Sequence, residues 1–201
     1  MSKMSKKKVI GITGSMGSGK SEISRYLRKK YPVLDCDQVN ADLLKKGNLG
    51  YEKLKKMNIV ELDSNGQIIK ESLASYMFSN EKHRKQVEAI LHPLIFDEMH
   101  KWICEQESSI VFVEMPILFE ISAQEHFDSI WCVVADLDVA LSRLQTYRNF
   151  TREQALARLV SQMNPEEKMA KSDVVLRNNS TVEQLHMQIE DALKEEKLNG
   201  D

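Results

Sequence analysis

The chain has 201 residues, 29% of them charged, with a formal net charge of −2. That length allows one good core, or one core plus a smaller insert. The near-neutral charge excludes the electrostatic footprint of a nucleic-acid-binding protein, and no apolar run approaches the roughly eighteen residues of a membrane span.

The chain opens on its densest basic cluster, Lys3, Lys6, Lys7 and Lys8, read as a solvated lead-in rather than a membrane-surface tail. Apolar, β-branched Val9–Thr13 then predicts a strand, too short for a signal peptide. Gly14-Ser15-Met16-Gly17-Ser18-Gly19-Lys20-Ser21 follows, a full G-x-x-x-x-G-K-[ST] phosphate loop, and Glu22 to Lys30 has helical spacing. Strand, glycine loop and helix are the context that gives this motif meaning. Three glycines let the backbone turn N–H groups inward around phosphate oxygens, and the helix points its positive end at them. Lys20 can reach the β- and γ-phosphates, and the Ser21 hydroxyl can ligate Mg²⁺. The sequence therefore predicts a nucleoside triphosphate site.

Further strands are expected at Val33–Asp35, Ile110–Glu114, Ile130–Ala135 and Val174–Leu176, alternating with helical stretches, the pattern of an α/β protein with a parallel sheet. Asp35-Cys36-Asp37 closes the second strand, and ligands of open parallel sheets sit beyond the carboxyl ends of strands. These acids are expected to face the phosphate loop from a neighbouring strand, one accepting a proton from an acceptor hydroxyl or holding a metal-bound water. Asp37 can equally cap the helix from Gln38, and both roles are compatible.

The stretch from Gln38 to about Ser108 is far longer than a crossover needs and reads as a helical insert. Asp63-Ser-Asn-Gly66 is a turn within it. It also matches the D-x-x-G of GTPases, but no N-K-x-D follows, and a GTPase is discounted. Pro93 is expected to open a helix striped by Leu94, Ile95, Met99, Trp102 and Ile103. His92 before it reads as a cap or packing residue. His83, His100, His126 and His186 lack metal-like spacing. Glu114, closing the third strand, has two open readings: a water-mediated magnesium ligand or a structural group.

A second excursion, about 143–172, carries Arg143, Arg148, Arg152 and Arg158, cations suited to phosphate contacts, and Thr151 can cap its second helix. Cys36, Cys104 and Cys132 are widely spaced and lack a C-x-x-C pair, which points to reduced thiols in a cytosolic protein. Cys104 and Cys132 are expected in the core.

Taken together, Thr13-Gly-Ser-Met-Gly-Ser-Gly-Lys-Ser21, Asp35-Cys-Asp37, Arg84 with Ile90-Leu-His-Pro93, Pro116-Ile-Leu-Phe-Glu120, Arg158 to Gln162, Glu166-Glu-Lys168 and Asp173-Val-Val-Leu-Arg-Asn178 make the chain resemble the dephospho-coenzyme A kinase family over nearly its whole length. The resemblance implies a P-loop, nucleoside-monophosphate-kinase-like fold: a five-stranded parallel sheet with helices on both faces, a helical coenzyme A-binding insert and a mobile lid. The implied division is a core of 1–46, 109–142 and 173–201, an insert of 47–108 and an arginine-rich lid of 143–172. It implies ATP and Mg²⁺, with dephospho-coenzyme A as small-molecule partner, no nucleic acid or membrane partner, a cytoplasmic location, and a monomer or weak homo-oligomer. ATP would lie on residues 14–22, Arg148 and Asn178, the last near adenine. Asp37 would orient the ribose 3′-hydroxyl, Lys70, His92 and Glu120 would contact substrate, and Lys20, Arg143 and Arg148 would serve the transfer. Departures from the pattern are Ser15 for a glycine, Glu22 for a threonine, Lys70 for an arginine, Ser180 for a glycine, and Tyr147 where the lid arginine is expected, with Arg148 one place later.

Overall fold

The computed structural model describes residues 7–198, so Lys3 and Lys6 of the basic lead-in lie outside the described residues. Five strands form one sheet in the order β2-β3-β1-β4-β5: β1 (Lys8–Gly14), β2 (Val33–Asp35), β3 (Ile110–Glu114), β4 (Ser129–Val134) and β5 (Val174–Arg177). β1 runs parallel to β3 and β4, and β4 parallel to β5, with Ile12 opposite Glu114 and Trp131. β3 and β4 are buried at every position, as continuous apolar runs in a parallel sheet should be.

Period-two alternation divides the strands between two layers. Ile10, Ile12, Phe112, Trp131 and Val133 join Ile23 and Leu27 of α1 (Lys20–Leu27) and Leu185, Ile189 and Leu193 of α9 (Val182–Leu198) in one core. The Phe112 and Trp131 rings meet edge to face, centroids 5.3 Å apart. At the amino-terminal end of the sheet, the buried Glu196 of α9 accepts from Trp131 Nε1 at 2.9 Å and pairs with Lys8 at 2.7 Å.

The chain divides into two compact units. The sheet unit comprises 7–34 and 106–198 and includes α6 (Leu137–Arg148), α7 (Arg152–Val160) and α8 (Pro165–Ala170), which cover much of the arginine-rich stretch. The helical unit is Asp35–Glu105, starting twelve residues before the expected 47 and ending three before 108. It holds α2 (Cys36–Leu43), α3 (Leu49–Lys56), α4 (Lys70–Ser79) and α5 (Glu81–Glu105), around Tyr51, Leu54, Leu73, Val87 and Leu91. The Asp63 turn is present: its Oδ1 accepts from the N–H groups of Asn65 and Gln67, and Gly66 adopts φ 72°.

Four expectations are corrected. Pro93 does not open a helix; it lies inside the 25-residue α5, which starts at Glu81, where the Asn80 side chain accepts from His83 N at 2.8 Å. The apolar contacts of Val87, Leu91, Leu94 and Met99 along one helix tolerate the hydrogen bond that the proline nitrogen cannot make. His92 is consequently no cap but a half-buried mid-helix residue. β2 is not β1's neighbour, because β3 stands between them. Cys104, near the end of α5, is exposed, while Cys36 and Cys132 are buried, and none of the three is in a disulfide.

Candidate phosphate-transfer site

The segment from β1 into α1 forms the phosphate loop. Gly14, Gly17 and Gly19 all have positive φ, at 146°, 77° and 99°, where L-residues are strained and glycine is not. At Gly19 the neighbourhood adds a second reason: a Cβ there would overlap the Asn178 side-chain nitrogen. Lys20 Nζ donates to the carbonyls of Gly14 at 2.7 Å and Ser15 at 3.0 Å, which draws the ammonium over the loop's entrance. Ser21 lies exposed in the first turn of α1, where the unpaired N–H groups and the helix dipole favour an anion. The Ser18 hydroxyl is buried without a hydrogen-bond partner among the described residues. The loop thus holds a spare donor, as an anion cradle should.

Two side chains from distant elements brace this loop. Asn178, buried just after β5, donates through Nδ2 to the Ser18 carbonyl at 2.8 Å. Arg143 on α6 donates to the carbonyls of Gly17 and Ser18 at 3.4 and 3.3 Å and to Asn178 Oδ1 at 3.2 Å. Of the other arginines of this stretch, Arg158 lies over the Phe150 ring at 4.7 Å and Arg152 faces Asp138 at 3.8 Å. Arg148, last residue of α6, is exposed with no hydrogen bond or ion pair among the described residues. The capping box expected at Thr151 is present, closed by Gln154. Between the loop tip, the end of β4, α6 and α7 lies a cavity of about 410 Å³, lined by Met16, Ser18, Leu137, Ala140, Leu159 and Gln162 among others.

The carboxylates sort differently from one another. Glu114 ends β3 buried, and its Oε2 accepts from the Ser24 hydroxyl of α1 at 2.6 Å, so it anchors the helix that follows the loop. Glu22 pairs with Arg25 and lies 3.3 Å from His186 Nε2, whose ring stacks on Tyr26. Glu120 accepts from the fully buried Lys168 at 2.8 Å and from Met163 N at 3.3 Å. Sequence reasoning assigned Lys168 and Gln162 no role; their recurrence in the quoted motifs was the available signal.

Within the helical unit, Asp35 rather than Asp37 caps α2: its Oδ1 accepts from Asp37 N at 2.9 Å and Gln38 N at 3.3 Å. The helix begins two residues earlier than the sequence suggested, at Cys36 rather than Gln38, which makes Asp35 the N-cap and puts the exposed Asp37 in the first turn. Lys70 is the exposed first residue of α4. Burial, opposed by the Glu88 charge, holds the His92 imidazole below its ordinary value. Among the described residues no group of three or more His, Cys, Asp or Glu forms a metal cage. Mg²⁺ bound with phosphates needs no such cage, because it keeps several waters and takes few protein oxygens.

Glycine loop, loop lysine and bracing arginine form the equipment of a phosphotransferase, and comparison with known proteins narrows the kind. A profile of the dephospho-CoA kinase family matches residues 8–184. A dephospho-CoA kinase of Bacillus cereus is 34% identical over 192 residues, covering 92% of this chain and 96% of the relative. A crystal structure of a Thermus thermophilus protein superposes with a TM-score of 0.83 at 31% identity, over 94% of this chain and 98% of that one. A dephospho-CoA kinase from Campylobacter jejuni, at 24% identity, shares the fold with a TM-score of 0.70 over 97% of this chain and the whole of the other. The order of motifs, the five-stranded sheet with its helical unit, and the extent of these matches place the chain in the dephospho-CoA kinase family.

Proposed function

We propose that this protein transfers the γ-phosphoryl group of ATP to the ribose 3′-hydroxyl of dephospho-coenzyme A, giving coenzyme A and ADP, the last step of coenzyme A synthesis. The observation that carries the reading is the phosphate loop with its spare donor at Ser18, set in a chain of this family. In the transfer, the bond from the γ-phosphorus to the β,γ-bridging oxygen breaks as a bond from the 3′-oxygen forms. The hydroxyl proton leaves to a carboxylate.

Each role is assigned to residues of this chain. The backbone N–H groups of residues 15–21 and Lys20 hold the β- and γ-phosphates and stabilise charge as it moves to the leaving oxygen. When bound, Mg²⁺ would supply further neutralisation, held by Ser21 and, through water, by Glu114. Asp37 orients the 3′-hydroxyl and accepts its proton late in the transfer; the capping by Asp35 leaves that carboxylate out of the helix cap. Residues 143–172 act as the lid. Within it Arg148 is the cation that reaches the transferred phosphoryl, because Arg143, Arg152 and Arg158 already have partners. Arg143 and Asn178 act by holding the loop, Asn178 also lying beside adenine. Lys70 and His92 line the coenzyme A side, and the helical unit binds the acceptor. The reaction belongs to the cytoplasm, where ATP is available; no described helix is long and apolar enough to cross a membrane.

The test is a coupled ADP-release assay over a panel of acceptors. Dephospho-coenzyme A should stimulate ADP release, whereas AMP, dTMP and shikimate should not; stimulation by one of those instead would make the chain another kinase of the same fold. Lys20→Ala and Asp37→Ala should each lower turnover by at least about 10²-fold, as loss of a preorganised charge does. Only Lys20→Ala should weaken ATP binding. Full activity of Asp37→Ala would remove that residue from the mechanism.

A further inference from the structure

Three motifs take no part in the phosphoryl transfer itself: Pro116 to Glu120, whose Glu120, expected to contact substrate, instead accepts from Lys168 and Met163, Gln162, and Glu166-Glu-Lys168. The structure joins them through hydrogen bonds. Gln162 Oε1 accepts from the backbone N–H of Met16, at the tip of the phosphate loop, at 2.9 Å. The next residue, Met163, donates its N–H to Glu120 Oε1 at 3.3 Å. Lys168 Nζ donates to that same oxygen at 2.8 Å and to the Pro116 carbonyl at 2.9 Å. The Pro116 carbonyl also accepts from the Thr13 hydroxyl at 3.1 Å. Thr13 enters the phosphate loop and Met16 forms its tip. The chain of bonds therefore leaves the loop at one side and returns to it at the other.

Lys168 is the hub of this ring and is fully buried. Removing an ammonium from water costs several kcal/mol, and an apolar residue of similar volume is often at least as stabilising as a buried ion pair. A strut meant only to add stability has no need of the charge. A charged donor aimed at two oxygens instead fixes both distances at once, because displacing either leaves a buried polar group unpaired. Burial also pushes up the thiol of Cys132, so the surroundings on β4 offer Lys168 no thiolate as an alternative partner.

We propose that Lys168 is a positioning residue for the phosphate loop: through Glu120 and Pro116 it sets where Gln162 holds Met16 N–H and where Thr13 launches the loop, and so tunes ATP binding rather than acceptor binding. The proposal rests on the ATP-dependent reading of the site. Misplacing a reacting group by about 1 Å can cost about 10²-fold in rate. Both Lys168→Met and Gln162→Ala should therefore lower kcat/KM for ATP by about tenfold or more, with KM for dephospho-coenzyme A within about twofold of the parent.

The deciding measurement is the double variant. Residues acting through one ring give losses that do not multiply, so Lys168→Met/Gln162→Ala should fall within about threefold of the worse single variant. Titration with a fluorescent ATP analogue should show the same pattern, and that readout needs no acceptor, so it stands even if dephospho-coenzyme A is not the substrate. Losses that multiply, or an unchanged KM for ATP with activity falling only as melting temperature falls, would overturn the proposal. Should Lys168→Met fail to fold, Thr13→Val with Gln162→Ala breaks the same ring at two points and is read by the same criteria.

Discussion

Gly19 offers a test of how the loop is held, because two separate causes forbid a side chain there. Its φ of 99° is strained for any L-residue, at about 1–2 kcal/mol. An alanine Cβ would also overlap Asn178 Nδ2, so the amide must move and surrender its 2.8 Å bond to the buried Ser18 carbonyl, a loss of about 1–3 kcal/mol. Gly19→Ala should therefore destabilise by about 2–5 kcal/mol in total. At about 2–4 °C per kcal/mol for a chain of this size, that lowers the melting temperature by roughly 4–20 °C. The second cause disappears when Asn178 is already alanine, and only the backbone strain of about 1–2 kcal/mol remains. The assay is thermal unfolding of the parent, both single variants and the double variant. A Gly19→Ala penalty that is the same with and without Asn178 would refute the claim that this amide closes over the loop.

Two further outcomes concern the frame around the site. Burial acts to raise the Glu196 carboxyl, but hydrogen bonds from Lys8, Ser129 and Trp131 together outweigh it and leave it below its ordinary 4.5. The stability this contributes is present above pH 4.5 and lost as pH falls through the depressed folded value; Glu196→Gln should cost about 3 kcal/mol at neutral pH, and the gap to the parent should close on acidification, read by melting temperature against pH. Thr151→Ala removes the side-chain half of the capping box on α7 and should cost about 1 kcal/mol, seen as faster hydrogen exchange at the start of that helix and little change elsewhere.

What the sequence revealed was what neighbours along the chain decide. The bounds of β2 and β3 match the expectation residue for residue, because a short β-branched run between polar segments has few other places to go. The Asp63 turn and the Thr151 box were equally readable, since donor and acceptor lie within four residues. The misreading at Pro93 had a local remedy too: Asn80 before Glu81 is a helix-start signal, and the proline drew attention from it. Asp35 and Asp37 could not be separated by composition. Which acid caps depends on whether the helix starts at Cys36 or Gln38, and the burial of Cys36 and Leu43 on one helical face decides that.

The site divides along the same line. The loop was legible because its function is carried by backbone and consecutive residues. The four arginines of 143–172 were legible as cations but not as individuals, since each one's contacts are set by what stands opposite. Arg143 meets carbonyls 125 and 126 positions away, and Arg158 finds the Phe150 ring. Arg148 sits at the end of α6 beside Asn149, whose left-handed φ of 54° turns the chain out of the helix. A guanidinium already bound to loop carbonyls must break those contacts to follow a phosphoryl group, whereas an exposed one on a helix terminus loses only water. That difference in what must be given up, more than position in any motif, is the physical ground for the proposal that Arg148 meets the transferred phosphoryl while Arg143 stays on the loop.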